Sequence, residues 1–325
     1  MNPRLDIRYL QRIETTKTDD GQEIITGLTQ QQKTLPARYF YDAKGSLLFE
    51  QICKLPEYYP TRTEAQILEK SATAIADITQ QCELIELGSG SSTKTRFLLS
   101  AYHQNQQSVY YSPIDVSASI LENSAKKLLA QYASLKIRGL VGTYDRALAN
   151  LPSPVANSRM LIFLGSSLGN FSESECDRFL EQIAQVMNPG DYFLLGVDLQ
   201  KPVPILEAAY NDSQGVTAAF NLNMLTHLNN LYRGDFQLDL CQHKAIYNQA
   251  RNQIEMYLEV KQTHTVSLSK LDLIIDLQAG ETIRTEISRK FNLEQMQQQL
   301  SAIGLNLCQS YTDENNWFGL LLLQK

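Results

Sequence analysis

Glu86-Leu87-Gly88-Ser89-Gly90 and, further on, Glu286 and Ser288 are the residues of this chain whose types and spacing suit chemistry. Glycines at the end of a strand let the backbone approach a ligand closely. Asp115 follows 27 positions after Gly88, at the end of the next apolar run. A carboxylate there can accept both hydroxyls of a ribose. Gly90 is followed by Ser91, Ser92 and Thr93, so the third glycine of a pyrophosphate-binding fingerprint is missing. A nucleoside without a phosphate bridge therefore suits the turn better than a dinucleotide. Glu286 and Ser288 lie two apart in 282–290, an alternating stretch. Residues two apart on a strand share a face, so the pair points away from Ile287. A carboxylate accepts an N–H and a hydroxyl adapts to either role, so the pair forms either a polar binding face or a solvated strand face. Lys290 would follow on the same face and is read as a surface residue.

Elements of two kinds must position these groups. Residues 82–87, 109–114, 137–141, 160–164 and 192–197 read as short apolar strands. A helical pattern at 63–78 precedes them, and others separate most of them: 93–102, a stretch from the candidate cap Ser117 to 132, and 172–187. In the last, Ser172 and Glu175 have capping-box spacing. This alternation predicts an α/β fold with a parallel, doubly wound sheet. After Asp198 the rhythm changes. Residues 203–232 read as helical, 252–290 as β-rich, and 292–303 as helical again. Residues 305–310 and 317–323 read as a closing antiparallel hairpin. By fold-level analogy, such a hairpin is the ending of class I methyltransferases rather than of most doubly wound dehydrogenases. The sheet domain is expected to be discontinuous, 61–199 with 291–325. Residues 1–60 with 200–290 would form a smaller α+β unit.

Composition narrows the class. The 325 residues are 43% hydrophobic and 20% charged, an ordinary globular balance. Lys+Arg 29 against Asp+Glu 35 leaves a net charge of -6 and no basic surplus for nucleic acid. Five scattered cysteines without a C-x-x-C pair read as reduced thiols, and four dispersed histidines argue against a zinc site. The polar start MNPRLDIRYLQRIE lacks the apolar core of a secretory signal, and no apolar run reaches the ~18 residues of a membrane helix. Cytoplasmic residence without membrane partners is the expectation.

Several segments together resemble one family. They are Leu35-Pro36-Ala37-Arg38-Tyr39-Phe40-Tyr41-Asp42-Ala43-Lys44-Gly45-Ser46, then Leu55 to Glu64 (LPEYYPTRTE), Glu86 to Lys94, Phe163 to Asn170 (FLGSSLGN), Gly215 to Asn223, and Thr285 to Phe291 (TEISRKF). In colinear order over nearly the whole chain, they resemble the histidine-specific Nα-methyltransferases of ergothioneine biosynthesis. The resemblance implies S-adenosylmethionine as cofactor, a monomer of two domains, and three methyl transfers converting L-histidine to hercynine. It places Gly88, Gly90, Lys94, Asp115, Thr143 and Tyr144 at the cofactor. It places Tyr58, Glu286 and Ser288 on the imidazole, and Asn170 and Tyr210 at the amino acid's carboxylate and backbone end. Tyr41 would lie near the reacting amine, with Phe49, Gly165 and Met256 lining the pocket. The family commonly carries Gly-Asp-Phe or Gly-Asp-Tyr where this chain has Gly142-Thr143-Tyr144, so the acidic contact to adenine is absent. A relative acting on tryptophan would want an apolar residue in place of Glu286. A non-catalytic module retaining the fold is the alternative from another class.

Overall fold

The computed structural model describes residues 2–10, 21–105 and 108–325; of the polar start MNPRLDIRYLQRIE, residue 1 and the residues from 11 onward lie outside the described ones. The chain divides into two compact units. The first is Met1–Ile13, Thr63–Leu199 and Phe291–Lys325, and the second is Glu14–Arg62 with Gln200–Lys290. Strands are numbered along the chain: β1 (Leu5–Tyr9), β2 (Lys33–Thr34), β3 (Cys82–Leu87), β4 (Val109–Asp115), β5 (Leu135–Val141), β6 (Ser158–Phe163), β7 (Tyr192–Asp198), β8 (Cys241–Asn248), β9 (Gln253–Val260), β10 (His264–Leu268), β11 (Leu273–Leu277), β12 (Thr282–Arg289), β13 (Asn306–Thr312) and β14 (Phe318–Gln324).

The first unit holds one eight-stranded sheet in the order β1-β5-β4-β3-β6-β7-β14-β13. β1 to β7 within it run parallel, and β14 pairs antiparallel with both β7 and β13. This is the α/β architecture of a class I methyltransferase with its terminal hairpin. The central strands are buried on both faces, which explains their unbroken apolar runs. Leu84, Ile162, Leu194 and Leu322 pack into one core, while Ile85, Leu161, Phe163 and Leu321 pack into the other. β3 is flanked by β4 on one side and β6 on the other, so the strand order reverses there. A crevice at the carboxyl ends of strands is the expected ligand position at such a switch point.

Two expectations change here. Residues 1–60 were assigned to the smaller unit, but β1 extends the large sheet, with Leu5 opposite Ile137. Arg4 anchors it, its guanidinium donating to the carbonyls of Tyr132 at 2.9 Å and Leu129 at 3.0 Å. An edge strand with exposed Asp6, Tyr9 and Arg8 nearby carries too little apolar pattern to be recognised alone. Ser117 makes no side-chain cap on the helix Ala118–Gln131; its backbone N–H is instead held by Asp115 Oδ1 at 2.8 Å. The capping box of Ser172 and Glu175 does form on Glu173–Val186.

In the second unit, β2, β12, β9 and β8 form a four-stranded sheet, and β10 with β11 a separate hairpin. The helical stretch expected at 203–232 breaks into Val203–Tyr210 and Val216–Tyr232. Asp212 causes the break: its carboxylate accepts from Val216 N at 2.9 Å and Thr217 N at 2.7 Å, satisfying two amides of the second helix's first turn. Asp42 likewise starts the helix Ala43–Ile52 by accepting from Gly45 N at 2.6 Å. Gly45 packs so tightly on the Phe40 carbonyl that no Cβ fits there. Among the described residues no helix is long and apolar enough to cross a membrane.

Candidate cofactor and substrate sites

The first unit gathers its polar groups where β3, β4 and β6 end. Gly88 and Gly90 both take left-handed backbone, with φ of 69° and 49°. A Cβ at Gly88 would stand 2.6 Å from the Tyr144 hydroxyl, whereas nothing lies within 4 Å of one at Gly90. The turn is therefore closed on one side and open on the other. Asp115 bridges two turns: Oδ2 accepts from Gly90 N at 2.8 Å and Oδ1 from Ser117 N at 2.8 Å. Each oxygen keeps a further acceptor position for ribose hydroxyls. Ser89 Oγ is buried in this turn without a protein partner.

Two buried acids brace the same edge from beneath. Glu86 takes the Thr95 hydroxyl at 2.6 Å and the Tyr111 hydroxyl, and burial pushes its carboxyl up to about 7. Glu64, fully buried, accepts from Gly165 N at 2.8 and 2.9 Å and pairs with the Lys94 ammonium. Gly196 on β7 makes room for that carboxylate, since a Cβ there would collide with it. Tyr144 packs edge-on against Phe163 at 5.5 Å, and burial pushes its phenol up to about 12. Thr143 is exposed and its side chain makes no cap bond on Tyr144–Ala149. Asn170 is exposed at the end of the short helical turn Ser167–Asn170, after β6.

An adenine nucleoside fits this arrangement. The open side of Gly90 gives space, Asp115 gives acceptors for a diol, and the buried Ser89 hydroxyl offers one more polar contact. Of the residues assigned to the cofactor, Gly88, Gly90, Asp115 and Tyr144 come together at one turn. Lys94 is drawn toward Gly165 by Glu64, which the sequence reading did not single out. Its signal was its place at the end of the segment Leu55 to Glu64, which carries the family resemblance but gave it no role of its own.

The second unit builds its polar site on β12. The ladder between β12 and β9 pairs Ile283 with Leu258, Arg284 with Tyr257, and then Glu286 with Met256 and Ser288 with Ile254. Thr285 is the extra residue of a β-bulge. Cross-strand partners share a face, so the bulge places Glu286, Ser288 and Met256 on the same face as Ile283. Without it, strict alternation would set Ile283 opposite them. Thr285 is locked by donating to Asn221 Oδ1 at 2.8 Å, with the Met256 carbonyl a second acceptor within reach of the same proton at 3.2 Å. His243, paired with Leu258 on the same face, reaches Tyr210 O at 2.8 Å and Asn221 at 2.9 Å. This face is therefore covered by the helices Val203–Tyr210 and Val216–Tyr232.

Aromatic rings continue the site. Tyr210 meets Tyr58 edge-on at 6.1 Å, Tyr58 meets Phe49 at 6.4 Å, and Phe49 meets Tyr41 at 5.8 Å. Phe220 packs against Tyr41 and Phe49. Burial, then the neighbouring Tyr210, pushes the Tyr58 phenol up, so it stays neutral. Burial also pushes the Glu286 carboxyl up to about 7, against the opposing pull of the Lys290 charge. The Tyr210 hydroxyl donates to Ser288 Oγ at 2.9 Å. Lys290 is not a surface residue: it is 3% exposed and donates to Ser288 Oγ at 2.9 Å and to the Tyr210 hydroxyl at 3.2 Å. Alternation alone could not reveal this, because nothing local distinguishes a solvated lysine from one that finds acceptors inside.

Comparison with known proteins agrees with this architecture. Residues 20–325 match the family described as histidine-specific methyltransferase, SAM-dependent. The chain is 41% identical over 303 residues to the histidine N-alpha-methyltransferase of Mycobacterium tuberculosis, covering 93% of this chain and 94% of that protein. It is 41% identical to the histidine N-alpha-methyltransferase of Mycolicibacterium smegmatis, over 92% of this chain and 93% of that protein. It is 32% identical to ergothioneine biosynthesis protein 1 of Neurospora crassa over 90% of this chain, which spans 33% of that longer protein.

Proposed function

The chain belongs to the family of histidine-specific, S-adenosylmethionine-dependent methyltransferases, and we propose that it converts L-histidine to N,N,N-trimethylhistidine (hercynine) by successive methyl transfers to the α-amino nitrogen. The reading rests on one observation: a carboxylate and a hydroxyl share a sheet face with Met256, beside a row of aromatic rings. Glu286 accepts an imidazole N–H, Ser288 answers the other ring nitrogen, and Tyr58 closes on the ring. An indole offers nothing to satisfy both polar groups, which disfavours tryptophan.

S-adenosylmethionine supplies an electrophilic methyl on sulfonium sulfur. Gly88 and Gly90 bring the backbone up to it, Asp115 holds its ribose hydroxyls, and Lys94, Thr143 and Tyr144 complete its surroundings. The nucleophile is the neutral amine, so an ammonium proton must leave first, at ~1.4 kcal/mol for each pKa unit above ambient pH. A water held by the half-exposed Tyr41 hydroxyl accepts that proton and passes it to solvent, and desolvation of the amine by the neighbouring rings assists. Positioning then carries most of the rate. In the second unit Tyr210 and Phe49 are assigned to the amino acid, and in the first unit Asn170 is assigned to the carboxylate and Gly165 to the pocket lining. The aromatic faces of Tyr41, Phe49 and Tyr58 stabilise the cationic methylated nitrogen by ~0.5–2 kcal/mol. The enzyme acts as a cytoplasmic monomer on a free amino acid.

Mass spectrometry of L-histidine incubated with the purified protein and S-adenosylmethionine tests the reading. A gain of three methyl groups is expected. Turnover of another amino acid with histidine untouched would refute it.

A further inference from the structure

Ser288 Oγ receives two donors. Lys290 Nζ reaches it at 2.9 Å and the Tyr210 hydroxyl at 2.9 Å, while Lys290 also donates to the Tyr210 oxygen at 3.2 Å. An ammonium only donates, and a serine hydroxyl has two lone pairs and one proton. Tyr210 accepts from Lys290 and so spends its own proton on Ser288. Both lone pairs of Ser288 are then engaged, and its proton must point to a third group. All three side chains are buried, at 3%, 4% and 7% exposure for Lys290, Ser288 and Tyr210. A proton aimed from such a place needs an acceptor, because water is scarce there. The ammonium also lies 5.0 Å from the Tyr210 ring centroid, which helps hold it in place.

We propose that Lys290 is a positioning residue that fixes Ser288 as a hydrogen-bond donor. The site then takes a neutral imidazole with its unprotonated nitrogen toward Ser288 and its N–H toward Glu286. This rests on the histidine reading above and adds the polarity of the ring contacts. An imidazolium has no acceptor nitrogen for Ser288, and an indole has none either. Without Lys290 the Ser288 hydroxyl regains a free lone pair and can turn, so either ring polarity is tolerated and neither is held well.

Steady-state kinetics of Lys290→Met, Ser288→Ala and the double variant, with calorimetry of S-adenosylmethionine binding, form the test. Lys290→Met should raise the KM for histidine about tenfold, with kcat changed less than about threefold and cofactor affinity unchanged. Lys290→Arg should restore most of the loss. In the Ser288→Ala background, Lys290→Met should add almost nothing, since the two act through one bond. Additive effects, an unchanged KM, or a parallel loss of cofactor binding would overturn the inference. Should Lys290→Met fail to fold, inhibition decides: thiazolylalanine, whose ring nitrogen accepts but carries no N–H, should lose more affinity on Ser288→Ala than pyrrolylalanine, which only donates. The reverse order overturns it. Histidine turnover with an indifferent Lys290 sinks this inference alone, whereas absence of histidine turnover sinks the proposed function with it.

Discussion

The two candidate sites are held in different ways. At the cofactor turn, acids bind the backbone: Asp115 holds the amides of Gly90 and Ser117, and Glu64 holds the amide of Gly165. At the substrate face, side chains hold each other: Lys290, Tyr210 and Ser288 are bonded to one another, and Thr285 is pinned by Asn221. A cradle made of backbone is specified by glycines and short sequence spacing. A pocket made of side chains depends on strands distant in sequence and on the register between them. The first kind suits a cofactor common to many folds, and the second suits discrimination among amino acids.

That contrast makes Asp115 the place of largest effect. Asp115→Ala removes acceptors for two backbone amides and for the ribose diol. With charged hydrogen bonds at about 1.5–3 kcal/mol each, S-adenosylmethionine affinity should fall about 1000-fold. Calorimetric titration measures this, and a change under tenfold would break the account of the turn. Histidine binding measured without cofactor should be little affected.

Glu86 gives the next effect, on stability. Burial raises its carboxyl to about 7 from an ordinary 4.5. The folded protein therefore keeps a proton that the unfolded chain releases. Its contribution is full below the unfolded value, is lost as pH rises through the folded value, and amounts to about 3 kcal/mol. Glu86→Gln should flatten the decline in denaturant stability between pH 5 and pH 8. Equal slopes in the two proteins would show that Glu86 does not carry it.

The smallest of the three sharpens the substrate side. Glu286→Ala should lower kcat/KM for histidine about 30-fold, roughly 2 kcal/mol, with cofactor affinity intact. In the unaltered protein the KM for histidine should rise as pH falls below about 7, where Glu286 gains its proton. Glu286→Gln should remove that part of the pH profile. Losses shared equally between cofactor and histidine would erase the distinction between the two sites.

Much of the first unit was legible from sequence. The apolar runs at β3, β4, β6 and β7 are buried on both faces, so their composition announces them. β1 was not legible, because its mixed pattern becomes a strand only when β5 offers it an edge. Residues 252–290 of the second unit were legible as β-rich, but β10 and β11 were not resolved as separate strands and β8 lay outside that stretch, since short half-buried strands resemble irregular chain until they pair.

By itself, the order of residues determined the glycine turn, the carboxylate at the end of the following strand, and the alternation that turns Glu286 and Ser288 to one side. These follow from backbone geometry within a few residues. Only the tertiary structure decided that a bulge at Thr285 puts that pair on the face with Ile283, that Glu64 ties Lys94 to Gly165, and that Lys290 is buried against Ser288. Those depend on which distant groups meet, and a hydrogen bond between residues far apart in sequence leaves no local trace in either.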